Sequence, residues 1–175
     1  MRELATGTRI RKFMRQLGAS ANVDTRVYLT GGATAVLFGW RETTIDVDLK
    51  IIPDSDEIFR ALPALKESLH LNVELASPDL FIPALPGWES RSLFIGREGR
   101  VDWYHYDPYA QALAKIERGH ERDRADVLKL IGEGLVQPQQ LLELFREITP
   151  SLIRYPSIDP EAFARKVDEA LAPAP

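Results

Sequence analysis

Apolar and polar positions along the chain recur with two periods. Over residues 2–17 the apolar side chains Leu4, Ile10, Phe13, Met14 and Leu17 fall at helical spacing. Arg9, Arg11, Lys12 and Arg15 take the exposed side, and Gly18 is the expected stop. Residues 26–30 (RVYLT) read as a buried strand. Gly31-Gly32 turns the chain into a short apolar helix over 33–38, which Gly39 ends. Residues 45–52 (IDVDLKII) read as a second strand whose first half alternates with a period of two. Asp46 and Asp48 lie on one face and Ile45, Val47 and Leu49 on the other, and Pro53 closes the strand. A helix over 54–69, capped by Asp54 or Ser55, leads to a third strand over 71–76.

Strand, helix, strand, helix, strand is the pattern of an α/β sheet. The proline-rich stretch 77–87 reads as a loop. Residues 91–97 and 100–106 read as a hairpin turning at Glu98-Gly99. Beyond it only helical signals remain, over 108–118, 121–131, 138–148 and 160–171, before a frayed tail at 172–175. The expected architecture is a mixed α/β (α+β) sheet flanked by helices. It divides into a core over 1–106 and a helical region over 107–175 packed on it.

Residues 28–50 (YLTGGATAVLFGWRETTIDVDLK) concentrate the chemistry. A strand runs into paired glycines and then directly into a helix, whose first amides have no partner within the helix. Glycine lets a phosphate come close to the backbone, so Gly31 and Gly32 suit a polyphosphate, with Thr30 and Thr34 as added hydroxyl donors. Asp46 and Asp48 then point the same way from one strand. Their charges repel unless a cation lies between them, and Mg²⁺ favours a few carboxylates together with phosphate oxygens. The combination points to metal-assisted phosphoryl transfer on a nucleoside triphosphate.

Gly31-Gly32, Gly39, Arg41, Thr44, Asp46 and Asp48 resemble the motif of the nucleotidyltransferase superfamily, and the Arg-x-Thr-x-Asp-x-Asp run resembles its AbiEii/MenT toxin-like branch. The resemblance implies a nucleotidyltransferase fold in which Asp46 and Asp48 hold Mg²⁺ and the triphosphate, with Arg41 in the nucleotide site. It also implies a third acid on the next strand. Glu74 is the candidate there, and Asp102 on the later hairpin is the competitor. Lys115, Arg122, Asp123 and Asp126 resemble a downstream motif of the same branch. By that likeness Lys115 contacts the nucleotide phosphates, and Asp123 or Asp126 completes the active site. From the residues alone, Asp123 falls on a stripe with Val127, Leu130 and Ile131, where a buried charge needs a partner such as Lys115. The implied acceptor is an RNA 3′ end, tRNA above all, or a protein hydroxyl. The implied setting is a toxin with a cognate antitoxin.

Composition narrows this reading. The 175 residues contain no cysteine, which excludes disulfides and thiolate metal sites and fits a reducing, cytoplasmic setting. His70, His105 and His120 lack metal-ligand spacing, so zinc is not expected. No residue run is apolar enough for a membrane span, and residues 1–19 do not form a secretory signal. A net charge of −4 leaves only a local basic groove for nucleic acid. Two other classes remain: a nucleotide-binding or antitoxin-like module without turnover, and an inert interaction protein whose Asp-x-Asp is a solvated face.

Overall fold

Strand β1 (Ala5–Thr6) ends on a threonine whose hydroxyl accepts the Arg9 amide at 3.3 Å and so caps α1 (Gly7–Ala19). This is a computed structural model describing residues 3–173, so the expected helix start at Arg2 and the end of the tail at Ala174-Pro175 lie outside the described residues. Leu4, expected on the apolar stripe, precedes the helix and is exposed. Ile10, Phe13, Met14 and Leu17 form the buried stripe. Gly18 is not the stop, because the helix runs on through Ala19. The glycine is there for a close approach: a Cβ at Gly18 would run into the Glu98 carbonyl, and one at Gly99 would run into the carbonyl of Gly18.

The chain continues through β2 (Thr25–Thr30), α2 (Gly32–Leu37), β3 (Thr43–Thr44), β4 (Asp46–Ile52), α3 (Asp56–Ser68), β5 (Asn72–Leu75), β6 (Leu93–Glu98) and β7 (Val101–His105). Ser55 is the cap of α3, its hydroxyl accepting the Ile58 amide at 3.4 Å. Among the described residues β1 and β3 pair as a two-stranded ribbon, and the other five strands form one mixed sheet in the order β5-β4-β2-β7-β6. β2 runs antiparallel to β4 and parallel to β7, β4 runs parallel to β5, and β6-β7 is an antiparallel hairpin. The mixed sheet flanked by helices expected from the sequence is present.

Residues up to 77 together with 92–106 make one compact unit. Its core gathers the apolar side chains of α1, α2 and α3 with Val27, Leu29, Val47, Leu49, Val73, Val101 and Trp103 from the sheet. Ile45 does not join this face. It precedes β4 and is exposed.

The second unit comprises 78–91 and 107–175. It holds 3₁₀ turns at Pro78–Leu80 and Thr149–Arg154, and the helices α4 (Trp88–Arg91), α5 (Pro108–Arg118), α6 (Glu121–Gly132), α7 (Pro138–Ile148) and α8 (Pro160–Leu171). Phe145 of α7 meets Phe163 of α8 edge to face at 4.9 Å. Asp107 caps α5 while fully buried: it accepts the Tyr109 amide at 3.0 Å and the Arg91 guanidinium at 3.1 and 2.7 Å. Burial raises its carboxyl above the ordinary value against the pull of Arg91. Among the described residues no helix is long and apolar enough to cross a membrane.

Two glycine substitutions test these packing arguments in opposite directions. Gly18→Ala forces α1 off the Glu98 carbonyl and lowers stability by about 1–3 kcal/mol. Gly132→Ala, at the end of α6 with open space around it, raises stability by about 0.4–1 kcal/mol. Urea midpoints at unchanged slope measure both.

Candidate active site

Strand register decides which polar groups meet. Thr30 lies opposite Asp48 across β2-β4, and across β4-β5 Asp46 lies opposite Asn72 and Asp48 opposite Glu74. Cross-strand partners share a face. Thr30, Asp48 and Glu74 therefore form a row over three strands, with Asp46 and Asn72 in the next row about 7 Å along. The intervening Val47 and Leu49 are 0% and 1% exposed, which fixes the carboxylates on the opposite face. Asn72 Nδ2 donates to Asp46 Oδ1 and, at 2.9 Å, to Glu74 Oε1, so one neutral amide joins two acids.

The paired glycines border this row. Gly31 has φ +62° and ψ −128°, a region all but reserved for glycine. A Cβ built there would sit 3.2 Å from Asp48 Oδ2. A Cβ on Gly32 would collide with the Thr44 side chain, whose hydroxyl donates to the Asp46 carbonyl at 3.2 Å. Paired glycines, Thr44 and the two aspartates thus interlock. With six residues, α2 holds fewer than two turns. What it presents to an anion is direct amide contact rather than a large summed dipole.

The remaining expected residues take different places. Thr34 is 3% exposed, and its hydroxyl donates to the Leu29 carbonyl at 3.3 Å and lies 3.0 Å from His105 Nδ1, so it serves the core. Arg41 is half-buried in the segment between Gly39 and β3. Asp102 lies opposite Arg26, four residues along β2 from Thr30 and so about 13 Å from the Asp48 row. Both of its oxygens accept from Arg97 at 3.1 Å, and Arg97 and Arg100 also hold Asp24. Register therefore places Glu74, not Asp102, beside Asp48.

Lys115, Asp123 and Asp126 come together within the second unit. Lys115 is 7% exposed and donates to Asp126 Oδ2 at 2.7 Å and to Asp123 Oδ1 at 3.4 Å. Arg118 grips Asp123 through Nε and Nη2 at 2.8 and 2.7 Å. Burial pushes the Asp123 carboxyl up, but Arg118 and Lys115 outweigh it and hold the group below its ordinary value. The buried charge on this stripe thus has the partner it needs.

Asn72 was not among the residues singled out from the sequence. Its only signal is the Asn-x-Glu spacing, which puts it on Glu74's face. A stack of rings was also not foreseen: Trp40 lies on Phe38 at 4.9 Å and 14°, and Phe38 on His105 at 4.5 Å and 22°. Burial, and after it the Arg11 charge, lowers the His105 pKa to about 4.

Among the described residues no group of three or more His, Cys, Asp or Glu side chains is arranged to hold a metal ion. Asp46 and Asp48 are a two-carboxylate set. That set fits Mg²⁺, which takes one or two carboxylates and completes its octahedron with water and phosphate oxygens.

Residues 8–152 match a family described as nucleotidyltransferase of unknown function, DUF6036. No curated protein and no solved structure matches the chain.

Two stability measurements test the buried charges. An unfolded His105 binds its proton near 6.5, whereas the folded one does so only near 4. The neutral ring's contribution is therefore complete above 6.5 and lost as pH falls from there toward 4, by roughly 3 kcal/mol. The pH slope of unfolding free energy over that window should flatten in His105→Gln. Lys115→Met removes the buried cation that Asp123 and Asp126 share and lowers stability by about 3–5 kcal/mol. Adding Asp126→Leu should recover much of that loss in the same denaturation assay.

Proposed function

We infer that this chain, which belongs to the DUF6036 family of nucleotidyltransferases over residues 8–152, moves a nucleoside monophosphate from a nucleoside triphosphate to an acceptor hydroxyl, with Asp46 and Asp48 holding Mg²⁺. The observation that carries this reading is how near the paired glycines lie to the Asp48 carboxylate, close enough that a Cβ on Gly31 would sit 3.2 Å from its Oδ2, on the face that also bears Asp46. A backbone turn able to receive phosphate and a carboxylate pair able to receive a cation are thereby adjacent.

In this mechanism the amides of Gly31-Gly32 receive phosphate oxygens, and Arg41, in the segment before β3, adds positive charge. Asp46 and Asp48 hold the cation, while Asn72 orients Asp46 and joins it to Glu74. When bound, Mg²⁺ neutralises charge on the phosphate oxygens and lowers the pKa of the attacking hydroxyl. The acceptor oxygen forms a bond to the α-phosphorus, the bond to the β-phosphate oxygen breaks, pyrophosphate leaves, and the acceptor proton passes to water. Positioning and fixed charge supply most of the acceleration. The likeness to the AbiEii/MenT toxin-like branch supports an RNA 3′ end, especially of tRNA, as acceptor, and a role as the toxin of a toxin–antitoxin pair.

The test is transfer of α-labelled triphosphate to total RNA in Mg²⁺. Asp46→Asn and Asp48→Asn each remove several kcal/mol of transition-state stabilisation, so transfer falls by about a hundredfold or more. Both variants should also lose the thermal stabilisation that Mg²⁺ with triphosphate gives the parent. Unchanged labelling in either variant would refute the mechanism. Stabilisation without any labelled acceptor would leave a binding module.

A further inference from the structure

Helix α1 contains four cations, Arg9, Arg11, Lys12 and Arg15, and no acidic residue, in a chain whose net charge is −4. Arg9 is committed: it pairs with Glu3 at 3.0 Å and donates to the carbonyls of Leu4 and Leu69. Arg11, Lys12 and Arg15 differ. They have no hydrogen-bond or ion-pair partner among the described residues. With Thr8 and Ala19 they follow the i, i+3, i+4, i+7 spacing of a single helix face, and all five positions are exposed. Such a stripe is not a by-product of burying the other side, since acids would serve equally well as solvated positions and would relieve the repulsion between Arg11 and Arg15.

The stripe has a direction. Its far end approaches the turn at Gly99, where Gly18 meets Glu98. α1 packs against α2, whose C-cap Phe38 belongs to the aromatic stack, and against β7, which ends at His105. The stack runs from His105 through Phe38 to the half-buried Trp40, next to Arg41. His105 lies opposite Leu29 and so shares the face of the sheet that the helices cover, not the face of the Thr30–Asp48–Glu74 row.

We propose that the exposed face of α1 binds the phosphate backbone of a single-stranded nucleic acid, with Trp40 as a stacking surface for one base, and that this strand is the acceptor for transfer. The proposal rests on the nucleotidyl-transfer reading for the strand's role as acceptor but not for its binding step. Arg11 and Arg15 are one helical turn apart, about 6 Å along the axis, on the order of two stacked nucleotide steps. Cations that neutralise backbone phosphate, beside a π-face that accepts any base, are the two components of sequence-tolerant single-strand binding. An acidic polypeptide would use the cations and leave the ring idle.

Fluorescence anisotropy of a labelled mixed-sequence single-stranded RNA, titrated with the full chain at several salt concentrations without triphosphate or Mg²⁺, tests this directly. Three phosphate contacts give log affinity against log salt a slope of about −2. Arg11→Gln/Lys12→Gln/Arg15→Gln should flatten that slope and weaken binding at low salt at least tenfold. Arg11→Lys/Arg15→Lys should bind almost as the parent does. Trp40→Ala should weaken binding without changing the slope. The substituted side chains of the triple variant are exposed, so its unfolding midpoint should match the parent's.

A parent that does not bind RNA, a triple variant that keeps the slope, or equal displacement by poly-glutamate would each overturn the proposal. Loss of labelled transfer to every acceptor, with RNA binding still dependent on the stripe, would refute the active-site reading and leave this surface standing.

Discussion

The packing of one face of β4 governs everything else described. Val47, Leu49 and Ile51 are inserted between the sheet and its helices, and the strand period then turns Asp46 and Asp48 to the other side. A slip of one residue in the pairing with β2 or β5 would reverse both faces at once, putting carboxylates in the core. The hydrophobic effect therefore fixes the aim of the polar groups, even though no polar group drives it. Thr30 and Glu74 inherit their places beside Asp48 from the same register.

Backbone proximity is the second constraint, and glycines mark it. Gly31 takes a conformation that side chains avoid and runs beside Asp48, and Gly32 leaves room for Thr44. Gly18 and Gly99 do the same at the other end of α1, where helix and turn touch main chain to main chain. These two crossings hold α1 and α2 at fixed positions relative to the sheet. The consequence for chemistry is that the groups around Asp48 are set by covalent geometry and packing rather than by flexible side chains.

Much of this was legible in the amino-acid order. The alternation in the first half of 45–52 and the helical spacing over 108–118 and 121–131 each repeat often enough to identify an element. The buried Asp123 on a helix stripe correctly called for a cation. Other features could not be read for physical reasons. β1 and β3 are two residues each, too short to carry a period. α4 is a single turn close to a proline-rich stretch that reads as loop. The role of Gly18 depends on Glu98, far away in sequence, and the role of Asn72 depends on the register of β5. Thr34 looked like a donor for ligand because nothing in the sequence announces that Leu29 and His105 will enclose its hydroxyl.

Glu74 sits on β5, the outermost strand of the sheet, next to an exposed Leu75. An outer strand presents unpaired main-chain groups that invite docking by another sheet, and apolar side chains there increase the hazard. A solvated negative charge in the middle of so short a strand opposes that docking, because two copies meeting edge to edge would bring their glutamates together.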